Sequence, residues 1–159
     1  FERLAAPPMV YMTGQKNITL SNSEVKILRE YLLEKHGMIF ADNGGSPGWH
    51  RQFFTMMGKV LPGVRPVTVS LDDPIHRIPT PLSSFPYVAP HGGDKPFGWK
   101  VDGRWVCYYH PGDIGDAWSN GHAGVDADIW QACYALGANV INYAYNEHAM
   151  WREAQRQKE

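Results

Sequence analysis

The sequence predicts an α/β fold built on an open, mostly parallel sheet, and three observations predict it. Residues 9–42 read as strand, helix, strand with tight glycine joints, the pattern of a parallel crossover unit. A second helical pattern and a β-branched run follow. An Asp-Gly hairpin then leads into a further core strand before a last long helical stretch. At 159 residues, 43% apolar and 19% charged, the chain is long enough for one domain with a sizeable core, and is neither disordered nor fibrous.

Pro7-Pro8 opens the apolar run Met9-Val10-Tyr11-Met12, which Thr13-Gly14 stops, a short buried strand and its turn. Ser21-Asn22-Ser23-Glu24 is a capping box, in which a hydroxyl and a carboxylate satisfy the free amides of a helix start. Val25, Leu28, Tyr31 and Leu32 fall on one face of that helix, and Gly37 is expected as its left-handed C-cap. Met38 to Ala41 is the next strand, ending at Asp42-Asn43-Gly44-Gly45. The second helix is expected from Pro47 to Val60, with Trp49, Phe53 and Met57 on a shared face.

Pro66 to Leu71 reads as a strand. Between Asp72 and Pro96 lie Pro74, Pro79, Pro81, Pro86, Pro90 and Pro96, a density that no regular element survives. The interleaved Ile75, Ile78, Leu82, Phe85, Tyr87 and Val88 are too apolar for a free linker, so residues 72–97 read as an ordered excursion over the sheet. Trp99 to Tyr109 is a hairpin turning at Asp102-Gly103, and its second strand ends at His110-Pro111-Gly112-Asp113. A glycine-rich loop runs through His122. The last helix spans about Asp126 to Asn146, with residues 147–159 expected as an exposed tail. Phe1 opens the chain with no signal segment before it, so a removed leader or a piece of a longer protein is expected.

Composition excludes several functions. Fifteen Lys and Arg against sixteen Asp and Glu give a net charge of −1, without the basic excess of a nucleic-acid binder. No stretch reaches the ~18 apolar residues of a membrane helix. Cys107 and Cys133 are too few for a disulfide scaffold or a thiolate zinc site and do not fix the compartment.

Ligands of an open parallel sheet bind beyond the carboxyl ends of its strands. Those ends carry Thr13-Gly14, Asp42-Asn43-Gly44-Gly45 and the segment from His110 to Asp116. The excursion adds Asp72, Asp73, His76, His91 and Asp94, and the later loop His122. Thr13, Asp42, Asn43, Gly44, His76 and Trp118 are the candidate crevice. His91, His110, Asp113 and Asp116 are the candidate ligands of a divalent metal, since imidazole and carboxylate together suit zinc, iron or manganese. Against this, no His-Glu-x-x-His or calcium-loop pattern is present, and Asp42 and Asp113 equally suit the capping of loop amides.

A nucleophile elbow is absent. Ser46 fits a helix cap, and Cys107 and Cys133 fit small buried hydrophobes. Asp42 to Ser46 lacks the Lys of a phosphate loop. Trp105 and Trp130 suit the core, whereas Trp118, in a glycine-rich loop, is expected at a ligand or partner surface.

These residues also resemble a family. Val10-Tyr11-Met12-Thr13-Gly14, the helix start from Leu20 to Glu24, Leu28-Arg29-x-Tyr31-Leu32 and Phe40-Ala41-Asp42 are similar to the bacterial domain of unknown function 4159 family. So are Asp73-Pro74-Ile75-His76, Asp102-Gly103-Arg104, the Asp113 to Trp118 loop and Leu136-Gly137-Ala138-Asn139-Val140-Ile141-x-Tyr143. The resemblance covers about Pro8 to Tyr145. It implies a class I glutamine amidotransferase-like fold, that is, a flavodoxin-like sheet with helices on both faces, and a chain lacking the family's first strand and helix. It also implies an extracytoplasmic, periplasmic place. The Cys-His-Glu triad of true amidotransferases has no cysteine here to receive it, and Asp72-Asp73-Pro74 stands where members often have Asp-His-Pro.

The resulting expectation is a non-catalytic domain that binds a ligand or a protein partner, itself or another chain, as a subunit of a larger assembly. The alternative is a metal-dependent hydrolase, in which the metal lowers the pKa of a bound water toward ~7 and a free carboxylate acts as general base.

Overall fold

The computed structural model describes residues 6–158. The elements are β1 (Met9–Thr13), α1 (Asn22–Leu33), β2 (Met38–Asp42), α2 (Pro47–Val60), β3 (Val67–Thr68), β4 (Phe97–Val101), β5 (Arg104–His110) and α3 (Ala127–Arg156), with short 3-10 turns at Pro74–His76, Ile114–Trp118 and His122–Gly124. The strands lie in the order β1-β2-β5-β4-β3.

The sheet is mixed, which corrects the mostly parallel expectation. β1, β2 and β5 run parallel, and β4 and β3 are antiparallel additions. The cause is the Asp102-Gly103 turn, with positive φ at both residues, which returns the chain directly from β4 into β5. The expected strand from Pro66 to Leu71 pairs only at Val67 and Thr68.

Alternation along β2 splits the core in two. Ile39 and Ala41 join Val25, Leu32, Phe53, Met57 and Tyr109 beneath α1 and α2. Met38 and Phe40 join Ile75, Tyr108, Leu136 and Val140 beneath α3 and the proline-rich excursion. Helices therefore cover both faces.

The local signals act through identifiable bonds. The Ser21 hydroxyl accepts from Glu24 N and the Glu24 carboxylate accepts from Ser21 N, so the box caps α1. At the other end the left-handed residue is His36, not Gly37. Lys35 N donates to Glu30 O and Gly37 N to Tyr31 O, which satisfies the last carbonyls of the helix, and glycine is needed for space, because a Cβ there would overlap the Tyr31 ring. The excursion is tied down by Asn139, which accepts from Thr80 N at 3.0 Å and donates to Thr80 O at 2.6 Å. Val88 N and Ala89 N both donate to Gly112 O.

α3 continues past Asn146 to Arg156, which corrects the expected tail from residue 147. His148 is buried and Trp151 stacks on His36 at 5.5 Å, so the apolar face persists for another turn and a half. Beyond Trp151 the side chains are exposed. No helix among the described residues is long and apolar enough to cross a membrane.

Arg104, nearly buried at the start of β5, donates to Leu32 O at 2.7 Å and Gly37 O at 2.8 Å, closing the end of α1. Arg104→Met is expected to cost about 2–4 kcal/mol in urea unfolding, because two carbonyls lose charged donors. A loss under ~0.5 kcal/mol would show that water replaces the guanidinium there.

Candidate functional site

The three parallel strands end in one row. Thr13 is in register with Asp42, and Asp42 with His110, so a hydroxyl, a carboxylate and an imidazole stand side by side at the carboxyl ends. The turns that follow converge on the row. Asn43 shapes the first of them: its Oδ1 accepts from Gly45 N and Ser46 N at 3.1 Å, and its Nδ2 donates to Ser46 O at 2.9 Å. Ser46 Oγ accepts from Trp49 N at 3.1 Å and caps α2, which occupies the only hydroxyl placed near an elbow.

Asp42 is fully buried and tethers the turn after β5. Its Oδ1 accepts from Ile114 N at 3.0 Å, its Oδ2 from Gly115 N at 2.7 Å, and the Tyr11 hydroxyl donates to Oδ2 at 3.3 Å. A Cβ on Gly115 would come within 2.8 Å of Asp42 Oδ2 and 2.6 Å of Tyr11 Oη, so only glycine lets the backbone approach. Burial pushes the Asp42 carboxyl up to about 7; the amides of Gly115 and Ile114 work against this and the charge of Asp113 adds to it.

Asp113 follows in the left-handed region, at φ 55° and ψ 44°, and its side chain caps no amide of the turn it precedes. It is 6% exposed, with His91 Nε2 3.6 Å from its Oδ2. Burial raises its pKa, neighbouring Asp116 raises it further, and His91 opposes both. Gly44 lies opposite: a Cβ there would stand 2.9 Å from Thr13 Oγ1 and 3.7 Å from Asp113 Oδ1. Thr13 and Gly14 also border a groove of about 530 Å³ lined by Met12, Gln15, Lys16 and Trp49.

The predicted residues thus divide. Thr13, Asp42, Asn43, Gly44, Asp113 and His91 meet at the strand ends, with the exposed Asp116 beside Asp113. His76 lies apart from them, buried under the excursion. Its Nδ1 donates to Ser70 O at 2.6 Å, so its Nε2 accepts from the Tyr108 hydroxyl at 2.8 Å. Trp118 is half-buried. Its indole N–H donates to Cys133 O at 3.1 Å, its ring packs on Tyr11 and Phe40, and a Cβ on Gly137 would lie 2.8 Å from it. It is a strut between α3 and the sheet.

His110 is fully buried. Its Nδ1 accepts from Gly112 N at 3.0 Å, which places the proton on Nε2, and Nε2 has no partner among the described residues. Burial, helped by the nearby His76, holds its pKa down to about 3. One nitrogen of His110 is thus committed to the backbone. Among the described residues no three His, Cys, Asp or Glu side chains are grouped to hold an ion. Burial raises the pKa of both thiols, that of Cys133 to about 12, which leaves them protonated and unreactive.

Two members of the site were missed. Tyr11 reaches Asp42, and its place two residues before Thr13 on one strand face was the available signal. His50 pairs with the Tyr109 hydroxyl at 2.9 Å, and Gly92 packs onto its ring. Its position in the first turn of the helix that leaves the β2 end was the clue.

A family model described as Domain of unknown function (DUF4159) matches residues 2–145. No curated protein matches the chain.

The raised Asp42 pKa sets a direction for stability. An unfolded aspartate titrates near ~3.9, so the folded state holds this proton more tightly. The contribution is present below that pH and is lost as pH rises through about 7. The melting temperature of Asp42→Asn is expected to fall less than that of the native chain between pH 4 and 8. Parallel profiles would show that the two amides hold Asp42 ionised throughout.

Proposed function

The chain belongs to the DUF4159 family, and on that footing we propose that it is a non-catalytic, ligand-binding domain whose crevice lies at the carboxyl ends of β1, β2 and β5. One observation carries the reading: Thr13, Asp42 and His110 stand in register at the carboxyl ends of the three parallel strands, and the nearly buried Asp113 lies beside Gly44 at the same edge. The rest of the site is supporting framework. Asp42 and Asn43 are committed to backbone amides, Ser46 to a helix cap, and both thiols are buried and protonated.

The fold is read as amidotransferase-like and flavodoxin-like. The support is a parallel three-strand centre with helices on both faces and the crevice at its carboxyl edge. The family resemblance supports a bacterial origin and an extracytoplasmic place. A protein partner, or a second copy, is supported by the exposed Tyr134, Ile141 and Tyr145, which share one face of α3.

A second reading, the metal-dependent hydrolase, rests on the approach of His91 to Asp113 with Asp116 beside them. These residues give at most a partial ligand set, and His110 turns one nitrogen away from it.

Two measurements test the pair. In a ligand-observed NMR screen of small polar compounds, hits are expected to compete with one another and to be lost in Asp113→Asn at unchanged melting temperature. Hits that survive Asp113→Asn would place binding elsewhere. Metal analysis of the purified chain before and after dialysis against a chelator is expected to find no stoichiometric zinc, iron or manganese. A stoichiometric ion lost in Asp113→Asn would favour the hydrolase instead.

A further inference from the structure

The groove beside Thr13 and Gly14 is governed by one indole. Trp49, in the first turn of α2, is 3% exposed, and its ring is stacked on Phe53 at 5.5 Å and tilted against Tyr109 at 6.1 Å, so its direction is fixed. Its backbone N–H is spent on Ser46 Oγ. Its indole N–H donates to no described residue and is not sealed from solvent, so it opens into the groove that Trp49 lines. Gly14 leaves it clear: a Cβ there would stand 3.3 Å from Nε1 and crowd the N–H. A donor so nearly buried and left unpaired gains from an acceptor that a ligand brings.

The rest of the wall holds one cation and no acid. The groove measures about 530 Å³, the size of a small-molecule site, and Lys16 is its one ionisable side chain. Gln52 of α2 fixes the far wall: its Oε1 accepts from Ile18 N at 2.7 Å and its Nε2 donates to Asn17 Oδ1 at 2.9 Å. Asn17 has thereby engaged its side-chain oxygen, and its NH2 group is what it still offers. Ile18 and Leu20 continue into an adjoining hollow of about 120 Å³ whose one ionisable side chain is Lys59. Asp42 and Asp113, at the same sheet edge, line neither.

A carboxylate matches this wall. Its two oxygens only accept, so one takes the indole N–H and the other the Lys16 ammonium, while an apolar body lies on Met12, Ile18 and Leu20. A cation would bring donors to donors and charge to like charge. A phosphate monoester brings a charge of about −2 to a single cation. We infer that the groove takes the carboxylate of a ligand with an apolar body, held between the indole N–H of Trp49 and Lys16, an inference that rests on reading the carboxyl edge of the sheet as a ligand site.

The indole proton itself reports the contact. The ¹⁵N-labelled chain is titrated with sodium butyrate, butanamide and butylammonium chloride at matched ionic strength. The signals followed are the Trp49 indole N–H, assigned by its loss in Trp49→Phe, and the amides of Gly14, Gln15 and Lys16. Butyrate is expected to move the indole proton saturably downfield. Butanamide, of the same shape without the charge, and butylammonium, with the opposite charge, are expected to leave it in place. Lys16 is exposed, so Lys16→Gln should weaken butyrate about threefold at unchanged melting temperature, and Lys16→Arg should restore it. Trp49→Phe should weaken butyrate about tenfold or more, read at the Gly14 and Lys16 amides. N-acetyl-alanylalanine separates the sources: tighter binding than butyrate assigns the groove to the terminal carboxylate of a peptide, and equal or weaker binding to a free small carboxylate.

Butanamide binding as tightly as butyrate, displacement of butyrate by inorganic phosphate at lower concentration, or native affinity in both Trp49→Phe and Lys16→Gln would each overturn the inference. If butyrate moves none of these signals while compounds lost in Asp113→Asn still bind, the carboxylate assignment fails and the ligand site at the strand ends stands. If nothing binds at either place, both fail.

Discussion

The turn that follows β5 hangs on one buried carboxylate. Asp42 closes β2 and receives the amides of Ile114 and Gly115 together with the hydroxyl of Tyr11. That arrangement joins three chain segments that are remote in sequence. Through it, Asp113 is set beside Gly44 and Trp118 is carried across to α3. The conditions it imposes are strict. Gly115 must have no side chain, Asp42 must lie in register with His110, and Tyr11 must share its face. The carboxylate is held by opposing effects, desolvation against three donors, which is why it sits near neutrality instead of deep in the acid range.

The mixed sheet divides the labour. Its parallel half gathers three carboxyl ends at one edge, as an open α/β sheet does. Its antiparallel half supplies none of these ends, because β4 runs the other way and β3 is a two-residue edge. What that half provides is the origin and landing point of the proline-rich excursion, which leaves after β3 and returns into β4. The excursion brings His91 to Asp113 and lays Ile75, His76 and Leu82 over Tyr108 and Trp105.

Much of this was legible from residues alone, and the failures have physical causes. The capping box at Ser21, the Pro47 helix start and the strand from Met38 to Asp42 are local chemistry, readable without tertiary context. The direction of β4 was half legible: the Asp-Gly turn announced a hairpin, but a hairpin inside an otherwise parallel unit makes the sheet mixed. Gly37 was expected to supply a left-handed φ. His36 does so, and Gly37 answers instead to the Tyr31 ring, a contact no local rule contains. Trp118 sits in a glycine-rich loop, and only the fold shows that a glycine on α3 leaves room for its indole. For the site, burial decided which polar residues were framework. Asp42 and Asp113 look alike as letters, yet one is saturated with backbone donors and the other caps none.

The thirty residues of α3 span about 45 Å, whereas a five-residue strand spans about 17 Å. A rod of that length cannot be supported along its whole course by so short a sheet. Its middle, around Leu136 and Val140, is locked against the core, while its last turn carries the exposed Glu153–Arg156 pair at 3.4 Å and no buried side chain. Amide protons along this one helix therefore exchange with solvent at rates graded by position, slowest at its centre and fastest toward Arg156. A single continuous helix so joins a well-protected centre to a lightly protected end.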